Sequence, residues 1–146
     1  LRRNRIHDGK SAGVVVYENG LGTLEDNEIF GNAFAGVEIK TGGNPTLRRN
    51  RIHDGKSAGV VVYENGLGTL EDNEIFGNAL TGVEIKTGGN PTLRRNRIQK
   101  NEHKAIRIHK AGGGSFEDND LRDNKRGAWD ISQDSLPNVK RSGNLE

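Results

Sequence analysis

Two His-Asp pairs, His7-Asp8 and His53-Asp54, come closest to a catalytic set in this sequence. An imidazole beside a carboxylate can take up and return a proton. The repeat described below sets the pairs on one edge of the molecule, two strand spacings or about 9.6 Å apart. That separation lies near the range for the two carboxylates of an inverting glycosidase. The pairs are copies of each other, however, so nothing in their surroundings would split an acid from a base. Gly31 also falls between them. No catalytic residue is therefore expected. No metal or cofactor site is expected either. The four His are scattered and Cys is absent, and Asp and Glu are interleaved with Arg, whereas a Ca²⁺ site needs clustered carboxylates.

Binding chemistry is better represented. His103, Lys104, His109 and Lys110 crowd one repeat. Their charged neighbours are answered by position: Lys100 by Asp123, Glu102 by Lys125, and Arg107 by Glu84 and Asp130. The four have no acidic answer in the following repeat, so they form a residual patch suited to an anion or an acidic partner. Tyr17 and Tyr63 alternate with Lys40 and Lys86 in one column. They can stack as cation–π pairs, and exposed aromatics also anchor partners. Candidate partner-binding residues are thus His103, Lys104, His109, Lys110, Tyr17 and Tyr63. Nucleic acid is not expected, because acidic repeats interrupt any basic stripe. Net charge is only +2. No apolar run approaches membrane-spanning length.

The element that must position these residues is a unit of 23 residues, best seen in Leu47–Thr69. It recurs without insertion or deletion as residues 1–23, 24–46, 47–69, 70–92, 93–115 and 116–138, with 139–146 opening a further copy. Its first position is Leu1, Leu24, Leu47, Leu70, Leu93, Phe116 and Val139, and its sixth is Ile6, Ile29, Ile52, Ile75, Ile98 and Leu121. A fixed period of this size marks a solenoid, in which each unit buries its apolar face against its neighbours. Apolar residues two apart, rich in Val and Ile and bounded by Asn, Gly and Asp, mark short strands. Such strands wound in one direction give an all-β, parallel β-helix of a single domain. Six coils at the strand spacing make a rod of roughly 29 Å. With Leu1 opening mid-pattern and no Met, the chain reads as an excised or engineered stretch of repeat array.

Residues 1–46 and 47–92 differ only at Phe34/Leu80 and Ala35/Thr81. Within each pair of coils the charges are opposed: Arg2, Arg3 and Arg5 become Glu25, Asp26 and Glu28. In a parallel stack the sign alternates at every coil, and a slip of one coil would set Arg on Arg. The fourth-position Asn, from Asn4 to Asn119, is expected at a corner. There it can adopt the left-handed conformation and hydrogen-bond along the rod. Trp129 is expected to cover the end of the core. The first coil carries no cap, which invites end-to-end association.

The segments Gly43–Gly55 (GNPTLRRNRIHDG) and Gly20–Ala33 (GLGTLEDNEIFGNA) resemble the parallel β-helix repeats also called CASH-type or pectate-lyase-like. The form is that of the repeat region of F-box-only ubiquitin-ligase substrate receptors and related bacterial proteins. The resemblance implies a right-handed β-helix serving as a protein-binding surface. No F-box or zinc-finger region is present, so ligase activity is not implied. Other members process polysaccharides, but their Asp-Asp, His-Gly-His and Arg-Ile-Lys signatures cannot be placed here. The leading expectation is a non-catalytic interaction module or scaffold, not an enzyme. The alternative is a carbohydrate-binding or carbohydrate-cleaving β-helix. Partners consistent with the surface are a protein, a second copy meeting end to end, or a carbohydrate.

Overall fold

The computed structural model describes residues 1–146. Each coil lays down short strands at three places, and strands from successive coils pair in parallel. The first sheet holds Arg5–His7, Glu28–Phe30, Arg51–His53, Glu74–Phe76 and Arg97–Gln99. The second holds Val14–Val16, Val37–Ile39, Val60–Val62, Val83–Ile85, Ile106–Ile108 and Trp129–Ile131. The third holds Thr23–Glu25, Thr46–Arg48, Thr69–Glu71, Thr92–Arg94, Gly114–Glu117 and Val139–Ser142. One 3₁₀ turn, Leu136–Asn138, precedes the last strand.

The register is the one the repeat requires. Leu24 pairs with Leu47, Leu47 with Leu70, Leu70 with Leu93 and Leu93 with Phe116. Ile29, Ile52, Ile75 and Ile98 form a second column, and Val37, Val60, Val83 and Ile106 a third. These columns meet in one core of 19 buried side chains. Alternation along each strand then sends the remaining residues outward.

Charge rows nest as expected, but not residue for residue. Arg48 stands opposite both Glu25 and Glu71. The acids are taken by others: Arg49 reaches Glu25 and Asp26, Arg2 reaches Glu25, and Arg94 reaches Glu71 at 2.7 Å. Arg48 is left with Nε buried and without a partner.

The fourth-position Asn column is buried and continuous from Asn27 to Asn119. Each Oδ1 accepts both the backbone N–H and the Nδ2 of the Asn one coil below, as Asn73 does from Asn50. The left-handed conformation expected of these Asn belongs instead to the residue before them. Arg3, Asp26, Arg49, Asp72, Arg95 and Asp118 all have φ between 53° and 56°. The Asn side chain is occupied in the ladder, so the preceding residue makes the turn.

A second ladder runs through the ninth position. Gly9 and Gly55 donate their N–H groups to Asn32 and Asn78, and Asn78, Asn101 and Asn124 continue it. With Ile39, Val62, Ile85 and Ile108 as a fourth buried column, two polar ladders and four apolar columns define the cross-section.

Trp129 packs edge-on against Phe116 at 5.3 Å, with the Arg141 guanidinium 5.1 Å from its ring and its Nε1–H donating to Glu146. It closes part of the core, as expected. Nearby, the Arg122 guanidinium binds Asp120 at 2.9 Å and holds its carboxyl down to about 2. A depressed carboxylate adds stability above the unfolded value of 3.8 and loses it as pH falls through about 2. The pair is largely exposed, so water screens it. Arg122→Ala is expected to lower the denaturant midpoint slightly at pH 7. The gap between variant and parent should shrink as acid protonates Asp120.

Candidate functional site

The outer face of the second sheet carries the groups with chemical potential. The middle residue of each strand points outward, and so does the residue just after the strand. The outward rows are therefore Val15 and Tyr17, Glu38 and Lys40, Val61 and Tyr63, Glu84 and Lys86, then Arg107 and His109. Ala35, Ala58 and Val61 make a small apolar cluster outside the main core, with Tyr63 packed on it. Phe34, Ala35, Glu38, Ser57, Val61, Tyr63, Glu84 and Lys86 line an open groove of about 320 Å³.

Tyr63 is its centre. Its hydroxyl donates to Glu38 Oε1 at 2.9 Å. Lys40 and Lys86, one coil to either side, each place Nζ 5.8 Å from the ring centroid. Neither ammonium joins an ion pair. Burial, and then the bond to Glu38, push the phenol up to about 12. Tyr63 therefore stays protonated at neutral pH, with its hydroxyl proton held by Glu38. In a Tyr17→Phe background, Glu38→Gln is expected to lower the Tyr63 titration only part of the way, because burial remains, as read by ultraviolet absorbance of the phenolate.

Glu84 is bound by His109 Nε2 at 2.8 Å, with Arg107 at 3.9 Å bridging on to Asp130 at 3.5 Å. The groove thus holds a phenol donor, a carboxylate and the Lys86 ammonium, with His109 bound to that carboxylate and the Lys40 ammonium on the far side of the Tyr63 ring. That set can hold an anion and move a proton on it.

Of the six expected binding residues, Tyr63 lines this groove and His109 stands beside it, bound to Glu84. His109 has an acidic partner after all, in the coil below. Tyr17 lies two coils away in the same column, 52% exposed. Lys110 follows His109 in a left-handed turn at φ 52°. His103 and Lys104 lie before Ile106–Ile108, at the other end of that strand, so the four basic residues do not form one patch. Glu38, Glu84 and Phe34 were not singled out. The signal for Phe34 and Ala35 was present, since they mark where the two 46-residue units differ.

The His-Asp pairs are on the first sheet. His7 and His53 bind Asp8 and Asp54 through Nδ1 at 2.7 and 2.6 Å. Their imidazoles stack in one column with Phe30 and Phe76, at spacings of 4.8, 5.2 and 4.7 Å. Arg5 and Arg51 cover Phe30 and Phe76. Within the column the rings cover one another's faces, while His7 at its end stays exposed.

Residues 1–145 match the family model described as "Right handed beta helix region". Among solved structures, the chain is similar to the periplasmic alginate epimerase AlgG, with a TM-score of 0.89 and 14% identity over 99% of this chain and 39% of that one. It is also similar to the A-module of the Azotobacter vinelandii mannuronan C-5 epimerase AlgE6, with a TM-score of 0.60 and 16% identity over 99% of this chain and 57% of that one. The chain spans less than two thirds of either structure. No curated protein matches it. At these identities the likeness shows the fold. It also corrects the expectation that this chain is not an enzyme. The same coil architecture carries two epimerases, and the lack of familiar lyase signatures gave no ground for excluding catalysis.

Proposed function

The chain belongs to the right-handed β-helix family, and from that premise we propose a carbohydrate-active protein that takes an acidic polysaccharide on its second sheet. The observation that carries this reading is the Tyr63 groove. Two unpaired ammonium groups there flank a protonated phenol on an apolar floor. Sugars present apolar ring faces and hydroxyls, and uronates add a carboxylate that suits Lys40 and Lys86. The named activities of the two similar structures, on alginate and mannuronan, support the same class.

The groove also fits a reaction. Removing the proton next to a uronate carboxylate builds negative charge on that carboxylate, which Lys86 would stabilise. Glu84, tied to His109, is placed to accept a proton, and Tyr63 to supply one. Both epimerisation and β-elimination begin with that step. The test is incubation with sodium polymannuronate and sodium polygalacturonate, followed by proton NMR of the sugar ring and by absorbance of unsaturated ends. Binding is measured in parallel by affinity electrophoresis. Binding or turnover that Tyr63→Phe and Lys86→Ala abolish is the expected result. If neither polymer is bound or altered, the proposal falls.

A further inference from the structure

Phe34 is the one phenylalanine without an aromatic partner. Phe30 and Phe76 lie in the ring column of the first sheet, and Phe116 is in the core against Trp129. Phe34 instead stands on the wall of the Tyr63 groove, 57% exposed. Ser11 and Ser57 hold the same position in the coils to either side, so no large side chain of that column covers its ring. The fold does not ask for a ring there, because the same position in the fourth coil is Leu80. Beside it, Ala35 is buried in the groove floor, where the fourth coil has Thr81. These two are the only differences between residues 1–46 and 47–92, and both fall on one groove. They also complement each other: the wall gains a flat ring while the floor loses a hydroxyl and a methyl group.

Resting on the carbohydrate reading above, we propose that Phe34 is the platform on which one sugar ring stacks, and that Ala35 deepens the floor to admit that ring. A pyranose presents carbon–hydrogen bonds on its ring faces, and the negative face of an aromatic ring attracts them. Lys86, on the same groove, attracts the carboxylate. The two contacts divide the recognition. The lysine reads charge and is screened by salt, whereas the platform reads ring shape and is not. Leucine in place of Phe34 offers apolar bulk without a flat face. Threonine in place of Ala35 raises the floor against whatever lies on it. The second unit, with Leu80 and Thr81, therefore has the same strands and the same Glu and Lys rows but no platform. An acidic peptide would satisfy Lys86 as well as a uronate does, yet it brings no saturated ring to lay on Phe34.

The decisive variant is Phe34→Leu/Ala35→Thr, which turns the second coil into a copy of the fourth, a sequence this rod already folds. Isothermal titration calorimetry with oligogalacturonate and oligomannuronate, at low and at high salt, reads the effect. The exchange is expected to weaken binding by about tenfold at both salt concentrations. Phe34→Tyr keeps the ring and should bind like the parent. Lys86→Ala should weaken binding at low salt and much less at high salt. The mirror exchange, Leu80→Phe/Thr81→Ala, controls for bulk elsewhere on the sheet and should leave binding unchanged. Parent-like binding by Phe34→Leu/Ala35→Thr, or a loss that high salt erases, would overturn the platform and leave the carbohydrate reading standing. An equal loss from the mirror exchange would do the same. If the parent binds neither oligomer, the platform and the carbohydrate reading fall together.

Discussion

Asn73→Ala is expected to lower stability by about 4 kcal/mol, enough to drop the thermal midpoint by roughly 8–16 °C in a chain of this size. Asn73 is 1% exposed. Its Nδ2 donates to Leu47 O and to Asn96 Oδ1, both at 2.9 Å. Its Oδ1 accepts the backbone N–H of Asn50 at 2.9 Å and the Asn50 Nδ2 at 3.0 Å. Truncation strands two donors of Asn50, the Leu47 carbonyl and part of Asn96, all where water cannot reach. Each stranded group costs about 1–3 kcal/mol. Asn144→Ala, at the half-buried end of the same ladder, is the control. It should cost about 1 kcal/mol, because solvent replaces the lost partners. A small shift for Asn73→Ala in a urea titration would show that the ladder is ornamental.

Gly82→Ala should cost about 1–3 kcal/mol, and Ile98→Leu should recover part of it. A Cβ built on Gly82 would sit 2.4 Å from Ile98 Cγ2, and the same clash recurs for Gly36 with Ile52 and Gly59 with Ile75. Leucine has no methyl branch on Cβ, so the clashing atom disappears. The chain already contains this pair of changes. In the fifth coil the thirteenth position is Ala105, and the residue facing it by repeat position is Leu121. Rescue is partial, because the same Cβ also meets Ala105 O at 2.8 Å. A double-mutant cycle by urea denaturation measures the coupling. Strict additivity would mean that the glycine column answers to the backbone alone.

Much of this architecture was legible from residue types at fixed spacing. The Leu, Ile and Val columns announce both the strand and the stack, and Asn at the fourth position announces a ladder. The ninth-position ladder was hidden because its column reads Gly, Asn, Gly, Asn, Asn, Asn, which looks like turn chemistry alone. The left-handed φ was assigned to Asn because isolated Asn tolerates it, but an Asn already bonded twice along the rod is not free to turn. The groove was harder still. Its defining bonds, Tyr63 to Glu38 and His109 to Glu84, join residues 25 apart, not 23. Side chains lean along the strand as well as across it, so arithmetic by register alone matches the wrong partners. The expectation of a non-catalytic module was overturned by likeness of fold to two epimerases, which no residue spacing in this sequence announces.

The near-identity of residues 1–46 and 47–92 has one further effect, on how the polypeptide reaches its final form. The top of the second coil differs from the top of the fourth only where Phe34 and Ala35 replace Leu80 and Thr81. The fifth coil can therefore dock on either, with the intervening cassette thrown out as a loop. Such a shortcut satisfies every charge row and both ladders at the seam, yet forfeits the burial of two whole coils. It is a trap on the way to the full rod, escaped only by undocking. Refolding from denaturant should consequently show a slow phase that disappears when one cassette is deleted.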